Sequence, residues 1–335
     1  MTDIKKTPPP LGPKRESQSP REKKTYSRNK TFGLDLKDDV EIEGFDQPTR
    51  YTPPIDPGYI FPKDETRVLL LGVVNRDRTL LVGHTGTGKT SLVEQVAARL
   101  NFSVFKISFD ACLTRNDLVG EWVVKKGDMT YQRGILPVAM TTPGTIIILD
   151  EWDTINADTS FVIQRLLQRE DGKLMLLEKG ADDDGDIEII ELHSDNVIVA
   201  TANTCGQGDE TGLYAHGTRV QNYAQLNRFG LTIKMEWLKP EDEEKMLMKK
   251  FSKCTPPLKQ HEANAFVKCI NKVRDGFANH QLSVPLSTRD LINWVEKYLF
   301  IGNPIVSAKY CFINRMSMQD GEVCRNIIQR AFEDA

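Results

Sequence analysis

Residues 80–91 decide how the rest of the chain is interpreted, and they read LLVGHTGTGKTS. A short apolar run ends at Gly83, the pattern G-x-x-x-x-G-K-T follows, and residues 92–100 have the spacing of an amphipathic helix. Strand, glycine-rich turn and helix together form the context that a phosphate-binding loop requires. The glycines let backbone N–H groups and the amino end of the helix approach phosphates closely. The stretch therefore predicts a site for a nucleoside triphosphate, and an ordinary glycine-rich turn is the alternative.

Two side chains of this loop have specific expected roles. Lys89 is expected to reach the β- and γ-phosphates, and the hydroxyl of Thr90 is expected to bind Mg²⁺. A nucleoside triphosphate and Mg²⁺ are therefore the expected ligands of this loop. The other residues expected to bind nucleotide belong to the loop or to the first turn of its helix: Gly83, His84, Thr85, Gly86, Thr87, Gly88 and Ser91.

The length of the chain is enough for one large domain and a small one, or for two domains with tails. The chain has 335 residues and a net charge of −3. It has no run of eighteen apolar residues and no N-terminal targeting signal, so we expect a cytoplasmic protein without a membrane partner. Its six cysteines are scattered without a C-x-x-C pair. This spacing argues against a zinc site and against a disulfide framework.

The first 50 residues differ from the rest in composition. Residues 1–50 are rich in Pro, Lys, Arg and Ser and poor in large apolar side chains, so we expect a disordered basic tail. Residues 1–30 hold nine basic and three acidic side chains, a net charge of +6. This tail is either simply solvated or a basic arm for nucleic acid or an acidic partner. The folded part is expected to begin near Tyr51.

Beyond Tyr51, strand and helix patterns alternate. Apolar runs of the kind buried in a parallel sheet occur at residues 104–109, 145–151, 197–203 and 231–237, and helical patterns at 64–75, 89–100 and 158–170. We therefore expect an α/β nucleotide-binding domain over residues 51–239, with a mainly parallel five-stranded sheet. Helical patterns then occur at 240–252, 258–279, 287–301 and 319–333. They predict a small helical domain over residues 240–335.

Polar side chains end two of the apolar strands. Asp150 and Glu151 follow residues 145–149, and burying charge there is costly unless a cation or a reaction uses it. Since the carboxyl ends of parallel strands face the ligand crevice, Asp150 is expected to complete the Mg²⁺ shell and Glu151 to polarise the attacking water. A helix-capping acidic pair is the alternative. Asn203 ends the next strand, where an amide would position that water, but Asn is also a common turn residue.

The order of these motifs resembles that of AAA+ ATPases. After the phosphate loop come residues 149–151, 201–204, 225–229 and 287–290. The resemblance is strongest to the MoxR branch and, within it, to the ATPase subunits of aerobic cobaltochelatases. It rests on short motifs at residues 117–120, 134–137, 162–165, 206–209 and 212–214. The resemblance covers roughly residues 54–300 and implies an AAA+ core whose C-terminal helical domain acts as a lid. It also implies that the nucleotide is ATP, bound with Mg²⁺.

The resemblance also implies roles for three residues. Asn203 matches the family's sensor 1, and Arg289 matches its sensor 2. Arg228 matches the arginine finger, whose guanidinium stabilises charge on the phosphoryl group held by a neighbouring subunit. A finger of this kind implies a ring, and a hexamer is the expected form. Most relatives have Asp before the finger, where this chain has Asn227. A surface salt bridge is the alternative for Arg228, and a helix end without nucleotide contact is the alternative for Arg289.

Two insertions match the same branch. Residues 122–131 predict a β-hairpin with Gly127-Asp128 at its turn, and residues 173–177 with 187–192 predict a second. In relatives such hairpins face the central pore or the upper surface of the ring, and mere surface elaboration is the alternative. The resemblance further implies a partner with a von Willebrand A domain. Since this chain has no D-x-S-x-S motif, that domain would belong to another polypeptide.

Three outputs for the ATPase remain open from the sequence. The preferred one is remodelling or activation of a partner protein complex, because a basic tail suits a dedicated docking partner. The second is cobalt insertion into a corrin ring, which only the family resemblance supports. The third is a nucleic-acid motor or loader, which is supported by nothing beyond the charge of the tail.

Overall fold

The computed structural model describes residues 21–110, 112–169, 172–205, 218 and 223–333. In chain order the strands are β1 (Lys23–Ser27), β2 (Glu41–Phe45), β3 (Thr79–Val82), β4 (Ser103–Ser108), β5 (Gly120–Lys125), β6 (Asp128–Arg133), β7 (Thr145–Asp150), β8 (Lys173–Met175), β9 (Ile189–Glu191), β10 (Val197–Ala202) and β11 (Leu231–Lys234). The helices are α1 (Arg28–Phe32), α2 (Lys63–Asn75), α3 (Lys89–Arg99), α4 (Arg115–Val119), α5 (Ile135–Thr141), α6 (Ala157–Leu167), α7 (Tyr223–Leu226), α8 (Pro240–Phe251), α9 (Gln260–Ala278), α10 (Thr288–Ile301), α11 (Pro304–Cys311) and α12 (Met318–Glu333).

A five-stranded parallel sheet forms the centre of the α/β part, as the sequence predicted. Its strand order is β11-β3-β10-β7-β4, and every neighbouring pair is parallel. All six residues of β10 are buried, as are the first five of β7, because helices cover both faces of the sheet. The parallel arrangement brings the carboxyl ends of β3, β7 and β10 to one edge. The ends of these three strands carry the predicted site residues.

The last strand of this sheet is shorter than predicted. The apolar run suggested a strand over residues 231–237, but β11 ends at Lys234. The N–H of Met235 still donates to the carbonyl of Val82, at 2.6 Å. The chain then leaves the sheet, and residues 235–239 connect it to α8.

The prediction of a disordered tail over residues 1–50 is wrong for residues 23–45. β1 and β2 pair antiparallel around α1, and Phe45 N–H donates to the carbonyl of Leu100 at the end of α3. Phe32, Ile42 and Phe45 are buried against the sheet and its helices. A few well-spaced apolar side chains therefore anchor a segment whose average composition is polar. Residues 1–20 of the predicted tail lie outside the described residues.

The C-terminal helices α8 to α12, together called the helical region, have a hydrophobic core of their own. Phe266 and Trp294 lie at its centre in an edge-to-face pair, with ring centroids 4.5 Å apart. α11 begins directly at Pro304. Proline has no backbone N–H, but at the first position of a helix that group would have no acceptor within the helix. The division into an α/β domain at residues 51–239 and a helical domain at 240–335 stays a prediction.

Both predicted hairpins are present. β5 pairs with β6 and β8 pairs with β9, all antiparallel. The turn of the first hairpin is Lys126-Gly127 and not Gly127-Asp128, because Lys125 pairs with Asp128. Lys126 and Gly127 both have positive φ, 56° and 95°, as a two-residue turn of this hand requires. Among the described residues, no helix is both long enough and apolar enough to cross a membrane.

Candidate nucleotide-binding site

The phosphate loop lies between β3 and α3, and its glycines fit close approaches that no other residue would allow. A Cβ on Gly83 would lie 2.2 Å from the carbonyl oxygen of Met235. Gly86 has φ of 81°, and a Cβ there would lie 2.3 Å from the Cβ of Ser287. Gly88 has φ of 90° and stands at the N-cap of α3. The loop is therefore closely packed on both the end of β11 and the start of α10.

Lys89 points back into the loop. Its ammonium donates to the carbonyls of Gly83 at 2.7 Å and His84 at 3.0 Å, and to Asn203 Oδ1 at 3.0 Å. Burial lowers the pKa of Lys89 to about 8, against the opposing effect of nearby carboxylates. The ammonium is thus a desolvated cation at the centre of the loop, in the position from which it would contact phosphate oxygens. Thr85 Oγ1 also donates to Asn203 Oδ1, at 3.3 Å.

The two residues predicted to bind Mg²⁺ lie side by side. Thr90 Oγ1 donates to Asp150 Oδ1 at 2.8 Å, and Thr201 Oγ1 donates to the same oxygen at 2.6 Å. The other carboxylate oxygen of Asp150 lies 4.0 Å from Lys106 Nζ. A hydroxyl and a carboxylate next to a phosphate loop are hard oxygen donors of the type that Mg²⁺ prefers. The residues present therefore fit the ion, which would neutralise charge on the phosphates.

Glu151 and Asn203 stand at the same edge of the sheet. Glu151 is exposed and has φ of 56°, a left-handed conformation that costs a non-glycine residue about 1–3 kcal/mol. Its N–H donates to Thr201 Oγ1 at 3.2 Å. Strained backbone of this kind is often found where a side chain must be aimed at a reaction. The sheet edge thus brings together Lys89, Asp150, Glu151 and Asn203, as the sequence predicted.

A cavity of about 320 Å³ lies beside the loop and extends to the helical region. Its walls come from the phosphate loop, from residues 56–62, and from α8 and α10. Tyr59 and Ile60 line it, whereas Phe61 packs edge-to-face against Phe32 in the core. Pockets of this size take small ligands, and the aromatic and apolar side chains at residues 59–60 would suit a planar base.

Arg289 also lines this cavity, at the second position of α10. The helix is capped by Ser287, which accepts from Asp290 N–H while the Asp290 carboxylate accepts from Ser287 N–H. Burial is the main cause of the lowered pKa of Lys89, and the nearby positive charge of Arg289 lowers it further. This position suits the predicted sensor 2.

Arg228 stands away from the cavity. It follows α7 and precedes the amino end of β11, whereas the phosphate loop follows the carboxyl end of the neighbouring parallel strand β3. The four residues of β11 span about 13 Å. Arg228 is not one of the described residues that line the cavity. Its Nη1 is buried and has no hydrogen-bond partner in the described part of the chain.

Asp153, which the sequence did not single out, supports the end of β10. Its side chain is fully buried, and Oδ2 accepts from the backbone N–H groups of Asn203 at 3.0 Å and Thr204 at 2.9 Å. It therefore fixes the end of β10 that carries Asn203. The only signal in the sequence was its place two residues after Glu151, which indicates no contact with a distant strand. The motifs at residues 206–209 and 212–214 lie outside the described residues.

Comparisons with known proteins agree with this geometry. Residues 78–216 match the family model described as "AAA domain (dynein-related subfamily)". The aerobic cobaltochelatase subunit CobS of a Sinorhizobium species is 32% identical over 92% of this chain and 90% of its own length. BssE of Thauera aromatica, whose name describes it as a chaperone candidate, is 26% identical over 77% of this chain and 80% of its own length.

The solved structures show the same fold. A point mutant of RuvB from Thermotoga maritima superposes with a TM-score of 0.50 at 13% identity, over 81% of this chain and 76% of that one. The phosphate loop, the acidic strand end and the relatives make the chain an ATP-hydrolysing enzyme. On the length and identity of its match to CobS, the chain belongs to the AAA+ ATPases of the MoxR type.

Proposed function

We propose that this chain works as a ring of identical subunits, a hexamer, that uses ATP hydrolysis to remodel or activate a partner protein complex. The observation that carries the proposal is the place of Arg228, which stands before β11 while its own phosphate loop stands beyond β3. A guanidinium at that end of the sheet suits the phosphates of an adjacent subunit better than its own. A site completed by a neighbour makes hydrolysis depend on assembly.

Within each subunit we assign the following roles. Lys89 and the loop N–H groups bind the phosphates, and Thr90 with Asp150 holds Mg²⁺. Glu151 polarises the attacking water and Asn203 orients it. Arg289 contacts the nucleotide from the helical region. Thr90 and Thr201 both donate to Asp150, and the backbone N–H of Asn203 donates to Asp153. These hydrogen bonds keep the groups in place before the nucleotide arrives.

The hairpins are the proposed contact with the partner. Trp122, Val124 and Met129 on β5 and β6 are between 46% and 70% exposed, which is unusual for such large apolar side chains on one hairpin. We propose that they pass movement to a partner that carries a von Willebrand A domain on a separate chain.

The similarity to CobS supports a second candidate, in which the partner is a chelatase that inserts cobalt into a corrin ring. A nucleic-acid function loses support, because two basic side chains of the predicted basic tail already form contacts within this chain. Lys23 pairs with Glu43 at 3.0 Å and Asp195 at 2.9 Å. Arg21 donates to the carbonyls of Asn101 and Pro143, both at 2.6 Å.

Capture with Glu151→Gln tests the proposal. This variant should bind ATP without hydrolysing it, elute as a ring in ATP on size-exclusion chromatography, and retain its partner from a cell extract. Lys89→Ala is the matched control, which should neither bind ATP nor retain the partner. A von Willebrand A protein recovered alone favours remodelling, and one recovered with a large chelatase subunit favours cobalt insertion. A Glu151→Gln protein that stays monomeric in saturating ATP would refute the ring.

A further inference from the structure

The side chain of His84, inside the phosphate loop, is held by aromatic rings from other parts of the chain. It stacks on Trp237 with ring centroids 5.3 Å apart and planes 6° apart. The edge contact with Phe277 of α9 has centroids 5.8 Å apart at 87°. Trp237 lies on residues 235–239, the segment that connects the sheet to the helical region. The loop therefore touches both the connection and the helical region through one side chain.

The contacts continue from Trp237 into the helical region. The guanidinium of Arg274 lies 5.0 Å from the centroid of the Trp237 ring, within cation–π range. Arg274 is buried and donates to both oxygens of Glu243, at 2.9 and 2.8 Å. Thr288 Oγ1 donates to Glu243 Oε1 at 2.8 Å. Thr288 begins α10 and, with its neighbour Arg289, lines the nucleotide cavity.

We propose that His84, Trp237, Arg274, Glu243 and Thr288 form a column that holds the helical region in register with the phosphate loop, and thereby positions Arg289 at the nucleotide. The proposal rests on the nucleotide contact assigned to Arg289. A buried ion pair adds little stability compared with apolar packing, but its hydrogen bonds are directional. Stacked rings add a further geometric preference. The column thus fixes the position of the helical region relative to the phosphate loop. A shift of the loop on phosphate binding acts directly on Trp237.

A double-mutant cycle on ATP turnover tests the column. Trp237→Ala and Arg289→Ala should each lower kcat/KM about tenfold, and the double variant should be no worse than Arg289→Ala, because Trp237 acts through Arg289. Trp237→Phe keeps a ring against His84 and should recover most of the loss. The matched control is Phe300→Ala, on α10 but 93% exposed, which should keep the wild-type kcat/KM. Tryptophan emission should change when ATP binds to the wild type and not when it binds to Trp237→Phe.

If the two effects multiply, so that the double variant loses about a hundredfold in kcat/KM, the proposal of the column is refuted. A Trp237→Ala enzyme with wild-type kcat/KM would refute it as well. If Trp237→Ala does not fold by circular dichroism, His84→Ala breaks the same stack from the loop side. His84→Ala is then combined with Arg289→Ala in the same double-mutant cycle. His84→Phe, which keeps a ring against Trp237, should recover most of the loss. An Arg289→Ala enzyme that itself behaves as wild type would instead refute the nucleotide contact of Arg289, and the column's role in placing it would fall with it.

Discussion

At the scale of single residues, the ammonium of Lys89 has an unusual environment for a charged group. Because it is buried among the loop carbonyls, its pKa is lowered to about 8, well below that of a solvated lysine. In the unfolded chain Lys89 keeps its proton to higher pH. Between pH 8 and the ordinary lysine pKa, the unfolded state therefore binds more protons than the folded state, and this residue's contribution to stability rises with pH.

The same lowered pKa predicts how ATP binding depends on pH. Phosphate favours the charged form of Lys89, so binding above pH 8 must take up a proton. At pH 8.5 we expect an uptake of up to about 0.8 proton per ATP and, above that pH, an affinity that falls by up to about tenfold per pH unit. Isothermal titration calorimetry in buffers of different ionisation enthalpy measures the uptake. An uptake near zero at pH 8.5 would mean that Lys89 is charged in the free protein.

At the scale of secondary-structure elements, the antiparallel pair β1–β2, here called the N-terminal hairpin, packs against the folded core. Phe45 is buried, stacks edge-to-face on Phe102 at 5.2 Å, and has the guanidinium of Arg21 4.2 Å from its ring centroid. Phe45→Ala should therefore lower the free energy of unfolding by about 3–5 kcal/mol. Val40→Ala in the same segment is the control, since Val40 is 46% exposed and should change it by less than about 0.5 kcal/mol. Urea denaturation gives both values, and equal stabilities would mean that the hairpin is not part of the cooperative fold.

The elements that the sequence predicted correctly each have a local signal. The strand that ends in Asp150 is continuously apolar, and the turn that leads to Lys89 is marked by glycines. Elements that depend on distant contacts were missed or misjudged. The N-terminal hairpin is held by Leu100 and Phe102, which no pattern within residues 1–50 can reveal.

The same distinction holds within the site. Asn203 could be placed because it ends an apolar strand. The importance of Asp153 depends on the loop after β10, and that of Trp237 depends on His84, far away in the sequence. The side chains assigned to the nucleotide follow regular strand ends. The positions of those that support them are determined by packing between elements that are distant in sequence.

At the scale of the whole molecule, the parallel sheet separates the two halves of the proposed catalytic site. Its carboxyl edge carries the phosphate loop, Asp150 and Glu151, and Arg228 stands before the amino end of β11. In a ring, each subunit would then offer one face with a nucleotide and another with a finger. Loss of either component should stop hydrolysis at that interface. A neighbouring subunit that carries the intact component should restore it.

Mixed rings therefore provide the decisive prediction. Pure Arg228→Ala should lower kcat at least about a thousandfold, because an arginine finger is worth that much in phosphoryl transfer. Pure Glu151→Gln should also be almost inactive, because it lacks the carboxylate that polarises the attacking water. An equal mixture should regain about a quarter of the wild-type rate if subunits mix at random, since one interface in four then joins an intact Glu151 to an intact Arg228. The matched control mixes Arg228→Ala with the double variant Glu151→Gln/Arg228→Ala, which supplies no finger and should stay inactive. A first mixture no faster than its two parents, although size-exclusion chromatography shows mixed rings, would mean that Arg228 does not act on a neighbour's ATP.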